Sequence, residues 1–182
     1  EGQFIGLISD EAIYDSGIFN ESIEVIADRF KTISVTRCRH IFDIIEICHQ
    51  YSLTSIPVVN DEKEYLGLIV LPDLVSCFSQ LINAQTPGAI IVIEVHVNDY
   101  SLSQIAQIVE SNEAKILSMY VASKPETLRL SVTLKLNTVD ITSIIRTFER
   151  YEYDIKATFE EQDTMKEIIR DRYDSLMRYL DT

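Results

Sequence analysis

A six-residue pattern occurs twice in this chain, 61 positions apart. Residues 4–9 read F-I-G-L-I-S and residues 65–70 read Y-L-G-L-I-V. Each sets an aromatic and an aliphatic before a glycine, then two aliphatics, then a small or branched residue. Recurrence at a fixed period marks a duplicated supersecondary unit, which buries its apolar face only against a neighbouring element. The second copy follows S-I-P-V-V-N-D-E-K-E and runs into L-P-D-L-V. Residues 56–59 and 64–70 therefore read as partner strands around an Asn60-Asp61-Glu62 turn. Pro72 suits the first turn of the next helix, where its missing N–H would be unpaired anyway. Only the tail of a first copy is present, as a strand over 4–8 and a short helix over 10–15. The chain opens at Glu1 in mid-pattern without a methionine, so more of that copy is expected upstream.

The rest of the first half follows the same logic. Residues 16–31 lack a clear period. Residues 33–36 read as a strand. Ile41, Ile44, Ile45 and Cys48 fall at helical spacing, which predicts a helix over 40–51 with Cys48 on its buried face as a small hydrophobe. Leu74, Val75, Phe78, Leu81 and Ile82 continue the helix begun near Pro72. Residues 32–83 thus read β-α-β-β-α. Pro87-Gly88 closes a linker over 84–88.

Beyond it the pattern changes. Ile91, Ile93, Val95 and Val97 alternate along a strand over 89–97. Asn98-Asp99-Tyr100 is a polar loop. Ser101 and Gln104 have capping-box spacing, so a helix starts there, with Leu102, Ile105, Ala106, Ile108 and Val109 on its apolar side. Strands follow over 114–121 and 128–136, joined by a turn over 123–126. In the latter strand Leu128, Leu130, Val132, Leu134 and Leu136 alternate with Arg129, Ser131, Thr133 and Lys135. Such a sheet buries one face and wets the other. Ile141, Ile144, Ile145 and Phe148 mark a second helix, and Tyr153, Ile155, Ala157 and Phe159 a last strand. Residues 89–160 read β-α-β-β-α-β, a ferredoxin-like split βαβ. A final helix over 163–181 carries a stripe of Met165, Ile168, Ile169, Leu176, Met177 and Leu180, which packs either on its own domain or on another subunit. The expected fold class is mixed α+β.

Composition narrows the function. The chain has 182 residues, 46 % of them hydrophobic, enough for a substantial core. Its formal charge is −13, from 16 basic and 29 acidic residues. That lacks the basic footprint of a nucleic-acid binder and is repelled by anionic membranes. No apolar run nears the ~18 residues of a membrane helix. Cys38, Cys48 and Cys77 form no disulfide framework, which points to a reducing, cytoplasmic setting. Cys38, His40, Cys48 and His49 fit no standard zinc spacing, so no metal is expected. His96, between Val95 and Val97, is expected to pack at a sheet surface. No nucleophile elbow, P-loop or dinucleotide fingerprint occurs, so the chain does not read as an enzyme.

Ile56, Pro57, Val58 and Val59, then Gly67, Leu68 and Ile69, then Asp73 and Leu74, resemble the CBS domain. This small regulatory module usually occurs in pairs and often binds adenine nucleotides. The second half, by element order, resembles an ACT domain, a ligand-sensing module often specific for amino acids that pairs side by side. Together they resemble bacterial CBS–ACT regulatory proteins of the acetoin-utilisation type. The implied organisation is a first CBS remnant and linker over 1–31, a second CBS module over 32–83, a linker over 84–88, an ACT-like domain over 89–160 and a helix over 161–182.

The resemblance also implies sites. Nucleotide-binding CBS modules end the third strand on Ser or Thr and place Asp three residues later. Here the first copy has Ser9 but Ala12, and the second has Asp73 but Val70. Ser9, Ile56, Pro57 and Asp73 are the candidate CBS residues, and their broken pairing disfavours an adenine nucleotide. In ACT domains the ligand lies where the first strand turns into the first helix, so Asn98, Asp99, Ser101 and Leu102 are candidates for a small metabolite. The plainer reading has Asn98 and Asp99 turning the chain and Ser101 capping. The resulting expectation is a regulatory, ligand-sensing homodimer without catalysis. A structural dimerisation or adaptor module with decayed sites is the alternative, and an unrecognised enzyme the second.

Overall fold

The computed structural model describes residues 2–17, 22–123 and 127–160. The expected helix over 163–181 and most of the 123–126 turn lie outside the described residues. The fold is mixed α+β, with two separate sheets. Contacts divide the chain into two compact units, Glu1–Phe78 and Ser79–Thr182. The division falls just ahead of the 84–88 stretch, within a helix.

The first unit opens on α1, Asp10–Ser16, and a 3-10 helix over Ile23–Arg29 kinked at Ile26. It continues through β1 (Val35–Thr36), α2 (Ile41–Tyr51), β2 (Ser55–Val59), β3 (Tyr65–Val70) and α3 (Leu71–Leu81). β2 is the central strand, parallel to β1 and antiparallel to β3. Val35, Ile44, Cys48, Ile56 and Leu74 form the buried core. His40 lies outside α2 and caps it, its Nδ1 accepting from the Phe42 N–H at 3.2 Å. The Asn60 turn is closed by its side chain, which accepts from the Glu64 N–H and donates to the Glu64 carboxylate, both at 2.7 Å.

Residues 4–8 do not form the expected strand. The segment from Gln3 to Leu7 contacts the unit through isolated bridges, Gln3 with Glu64 and Leu7 with Lys31. The apolar pattern is present, but no neighbouring strand runs beside it long enough to build a ladder. Gly6 is needed where this segment crosses Phe30, because a Cβ there would lie 2.8 Å from the Phe30 Cβ. Gly67, its counterpart in the second copy, has nothing within 4 Å of that position.

The second unit contains β4 (Ile90–His96), α4 (Leu102–Ser111), β5 (Ile116–Ser123), β6 (Arg129–Leu136), α5 (Thr142–Arg150) and β7 (Asp154–Phe159). The strand order is β5-β6-β4-β7, and every neighbouring pair is antiparallel. With a helix after the first and third strands, this is the ferredoxin-like split βαβ. Ile91, Ile93 and Val95 of β4 and Val132, Leu134 and Leu136 of β6 pack with Ile105, Ile108 and Val109 of α4 and Ile144 and Phe148 of α5. Phe148 is fully buried and meets Tyr153 edge-on, centroids 5.4 Å apart. Among the described residues no helix is long and apolar enough to cross a membrane.

Gly88 enters this unit at φ +151°, a conformation L side chains rarely adopt, and a Cβ there would run into the Leu136 carbonyl oxygen. Replacing Gly88 with Ala should lower stability by about 2–4 kcal/mol through backbone strain and overpacking. Urea denaturation of the two proteins reads this directly, and equal midpoints would contradict it.

Candidate functional site

A polar cavity lies in each unit. In the first unit it has a volume of about 510 Å³ and gathers Ser9, Asp10, Arg29, Lys31, Thr54 and Ser55 among its lining. Ser9 stands at the start of α1, where its hydroxyl accepts from the Ala12 N–H at 3.2 Å. Arg29 donates to the Ala12 carbonyl oxygen at 3.2 Å. Ile56 and Pro57 are buried within β2 and do not line the cavity, nor does Asp73. The Asp73 carboxylate instead accepts from the Val70 N–H at 3.4 Å, in the first turn of α3. Ser9 and Asp73 are therefore not brought together, and each is used locally as a helix-start acceptor.

Arg29 and Lys31 escaped the sequence reading because their stretch has no periodicity. Thr54 and Ser55 carried a usable signal, since they directly precede the apolar run 56–59.

In the second unit the cavity, about 380 Å³, lies where β4 ends, β6 begins and the chain enters β7. Its lining includes Glu94, His96, Asp99, Gln104, Arg129 and Tyr153. Of the four loop residues singled out, Asp99 is brought to the cavity; Asn98, Ser101 and Leu102 are not part of its lining. The Asn98 N–H donates to His96 Nδ1 at 3.3 Å. Ser101 caps α4, its hydroxyl accepting from the Gln104 N–H at 3.3 Å and lying 3.0 Å from the Ser103 hydroxyl. Leu102 is half exposed.

The electrostatics of this cavity come from a ladder of charges across three strands. Glu94 is only 9 % exposed, although it lies on the face opposite α4 and α5, and it is held by Arg129 at 3.1 Å. A buried carboxylate is tolerable only with such a partner. Arg129 also reaches Asp154 at 3.7 Å, and Asp154 takes the Lys156 ammonium at 2.5 Å. That hydrogen bond is the main reason the Lys156 ammonium holds its proton above the usual lysine range. Tyr153 donates to Gln104 Oε1 at 2.8 Å. Burial, and then the negative charge of Asp99, push its phenol above the ordinary range. Arg129, Gln104 and Tyr153 come from distant parts of the chain, so no local pattern announced them.

Among the described residues no group of three or more His, Cys, Asp or Glu side chains is placed to hold a metal ion. Cys48 is buried and its thiol is pushed up by burial, while Cys38 and Cys77 are exposed.

No family model matches the chain. Parts of it are similar to several solved structures. One is the CBS domain pair of protein MJ0100 in complex with 5′-methylthioadenosine and S-adenosyl-L-methionine, 20% identical over 43% of this chain and 64% of that one, with a TM-score of 0.35. A CBS domain protein from Shewanella oneidensis MR-1 is 21% identical over 41% and 59%, with a TM-score of 0.29. Staphylococcus aureus OpuCA is 21% identical over 43% and 65%, with a TM-score of 0.32. The chain thus spans less than two thirds of each of these.

Two outcomes follow from this geometry. Ser101→Ala should cost about 1 kcal/mol through the lost cap, read by urea unfolding. Tyr153 is an acid whose folded pKa is raised, so its contribution is complete below the unfolded value of about 10 and is lost as pH rises through the folded one. Stability should therefore fall more steeply above about pH 10 in the wild type than in Tyr153→Phe, and Asp99→Asn should narrow the gap. Parallel stability curves would remove Tyr153 from this role.

Proposed function

We propose that this chain is a non-catalytic regulatory protein that senses a small molecule through a CBS-like first unit and an ACT-like second unit, acting as a homodimer. The observation that carries this reading is the polar cavity at the β4-to-α4 junction of a complete βαββαβ sheet. Its position matches the place where the ACT resemblance implies a ligand. The first unit supports it with the Ile56–Val59 and Gly67–Leu74 residues on a sheet backed by two helices.

The ligand class follows from charge. Glu94, Asp99, Glu152 and Asp154 face a single guanidinium, Arg129, in the cavity lining. Excess negative charge favours a ligand with an ammonium group, and the guanidinium offers a carboxylate its planar fork. A free amino acid carries both groups. In the first unit Ser9 and Asp73 are each engaged with backbone and stand apart, which disfavours a nucleotide held by a hydroxyl–carboxylate pair. Polar side chains in the second cavity are paired with one another, Glu94 with Arg129 and Tyr153 with Gln104, an arrangement suited to binding rather than to proton transfer.

Calorimetry with the free amino acids and with AMP, ADP and ATP tests the reading. At least one amino acid should bind with Kd below ~1 mM, about −4 kcal/mol, and Asp99→Asn should weaken it about tenfold. Nucleotides should not bind tighter than ~10 μM, about −7 kcal/mol. Tight nucleotide binding would reverse the ligand assignment. Absence of any amino-acid heat in a protein that still sediments as a dimer would favour the dimerisation module with decayed sites.

A further inference from the structure

Side chains paired across antiparallel strands share a face, so the register sorts the face opposite α4 and α5 into rows across β7, β4 and β6. The first row is Phe159, Ile90 and Lys135. The second is Ala157, Val92 and Thr133, and the third is Asp154, Glu94 and Ser131. The rows differ in chemistry. The third carries the carboxylates that Arg129 binds. The first two hold one charge, Lys135, and its ammonium is engaged, donating to the Gly88 carbonyl oxygen at 2.8 Å. Around it Phe159 is 58 % exposed, and Ile90, Val92 and Ala157 are only half-buried. Among the described residues, α4 and α5 pack on the other face. A contiguous apolar surface left open on one face of a sheet is a docking surface.

The chain itself supplies a matching segment. β7 ends at Phe159, in the first row, and residues 161–182 follow the last described residue. Met165, Ile168, Ile169, Leu176 and Leu180 recur there at helical spacing. Arg172 falls inside that stripe, four residues from Ile168 and four from Leu176. An arginine among apolar side chains needs a carboxylate opposite it. Spacing provides one. At about 1.5 Å per residue, Arg172 stands about 10 Å beyond Met165 along a helix. Successive rows lie two residues apart on β4, about 6.7 Å, so the third is about 13 Å beyond the first. The length of an arginine side chain covers the difference.

We propose that residues 163–181 form a helix that docks on this face of their own sheet. Met165 lies over Phe159 and Ile90, Ile168 and Ile169 over Ala157 and Val92, and Arg172 against Asp154. The order of the stripe, apolar first and cationic next, repeats the order of the rows. The assignment to the same chain follows from the connection. Residues 160–162 span at most about 10 Å even when fully extended, and they leave from Phe159, which is itself part of the surface. A helix starting at that point reaches the first row without crossing any other strand. It gives the sheet a third layer and buries a stripe that no surface helix leaves in water.

The chain contains no tryptophan, so Ile169→Trp in the full chain places a single reporter of burial in the stripe. Its emission should be shifted to the blue, as for a ring out of water, and should not change on about hundredfold dilution, because a contact within one chain does not follow mass action. Two further changes are then made in that background. Ala157→Lys sets a charge beneath the reporter, and Arg172→Glu sets a carboxylate against Asp154. Each should move the emission to that of a water-exposed ring, while Glu113→Lys, in the exposed loop after α4, should leave it unchanged. Arg172 lies outside the sheet, so its arm stands even where Ala157→Lys fails to fold. A water-exposed emission from Ile169→Trp alone, or a blue one indifferent to Arg172→Glu and to a folded Ala157→Lys, would overturn the placement. A blue emission that turns red on dilution would move the contact to a second copy and overturn the assignment to the same sheet.

Discussion

Among the described residues of the second unit, helices cover one face of the sheet, and the rest of the unit answers to that asymmetry. β4 and β6 lie at the centre, so their inward side chains, Ile91, Ile93, Val132, Leu134 and Leu136, are fully excluded from water. Such burial contributes roughly 1.5–3 kcal/mol per side chain relative to exposure. It forces the alternate residues onto a face that no described helix covers. Glu94 belongs to that second set, yet it is almost wholly buried and paired with Arg129. The charge ladder from Glu94 to Lys156 is the arrangement that lets this end of the sheet carry carboxylates at all. Removing Arg129 would leave a buried carboxylate without its ion pair, a far larger loss than that of a surface pair.

The same asymmetry explains what could be read from the chain. The strict alternation from Leu128 to Leu136 has one physical source, a half-covered strand, and β6 lies within a residue of where it predicts. α4 begins where Ser101 and Gln104 place it, because a cap is a contact between residues three apart and needs no tertiary partner. Residues 4–8 have the composition of a strand and do not form one. A strand is defined by its neighbour, which composition cannot supply. The 3-10 helix over Ile23–Arg29 was illegible for the opposite reason, since its sequence has no period to detect.

The candidate sites divide along the same line. Asp99 was legible because the loop before a helix is a local feature. Arg129, Gln104 and Tyr153 reach the same cavity from β6, α4 and the residue before β7, and only folding brings them together. The two glycines of the repeated pattern teach a related point. Gly6 is forced by the closeness of Phe30, whereas Gly67 faces open space. Sequence similarity between the copies therefore does not carry similarity of environment.

That difference extends to the candidate residues Ser9 and Asp73. Ser9 holds the Ala12 N–H and Asp73 the Val70 N–H, so each half has a local use that does not depend on the other. A helix-start acceptor contributes about 1 kcal/mol whether or not a ligand is present, which suffices to make either residue useful alone. The two cavities also differ in charge. The first sets Arg29 and Lys31 against Asp10 and Glu11, close to balance, while the second sets four carboxylates against one guanidinium. A ligand whose charge suits one cavity is poorly matched to the other.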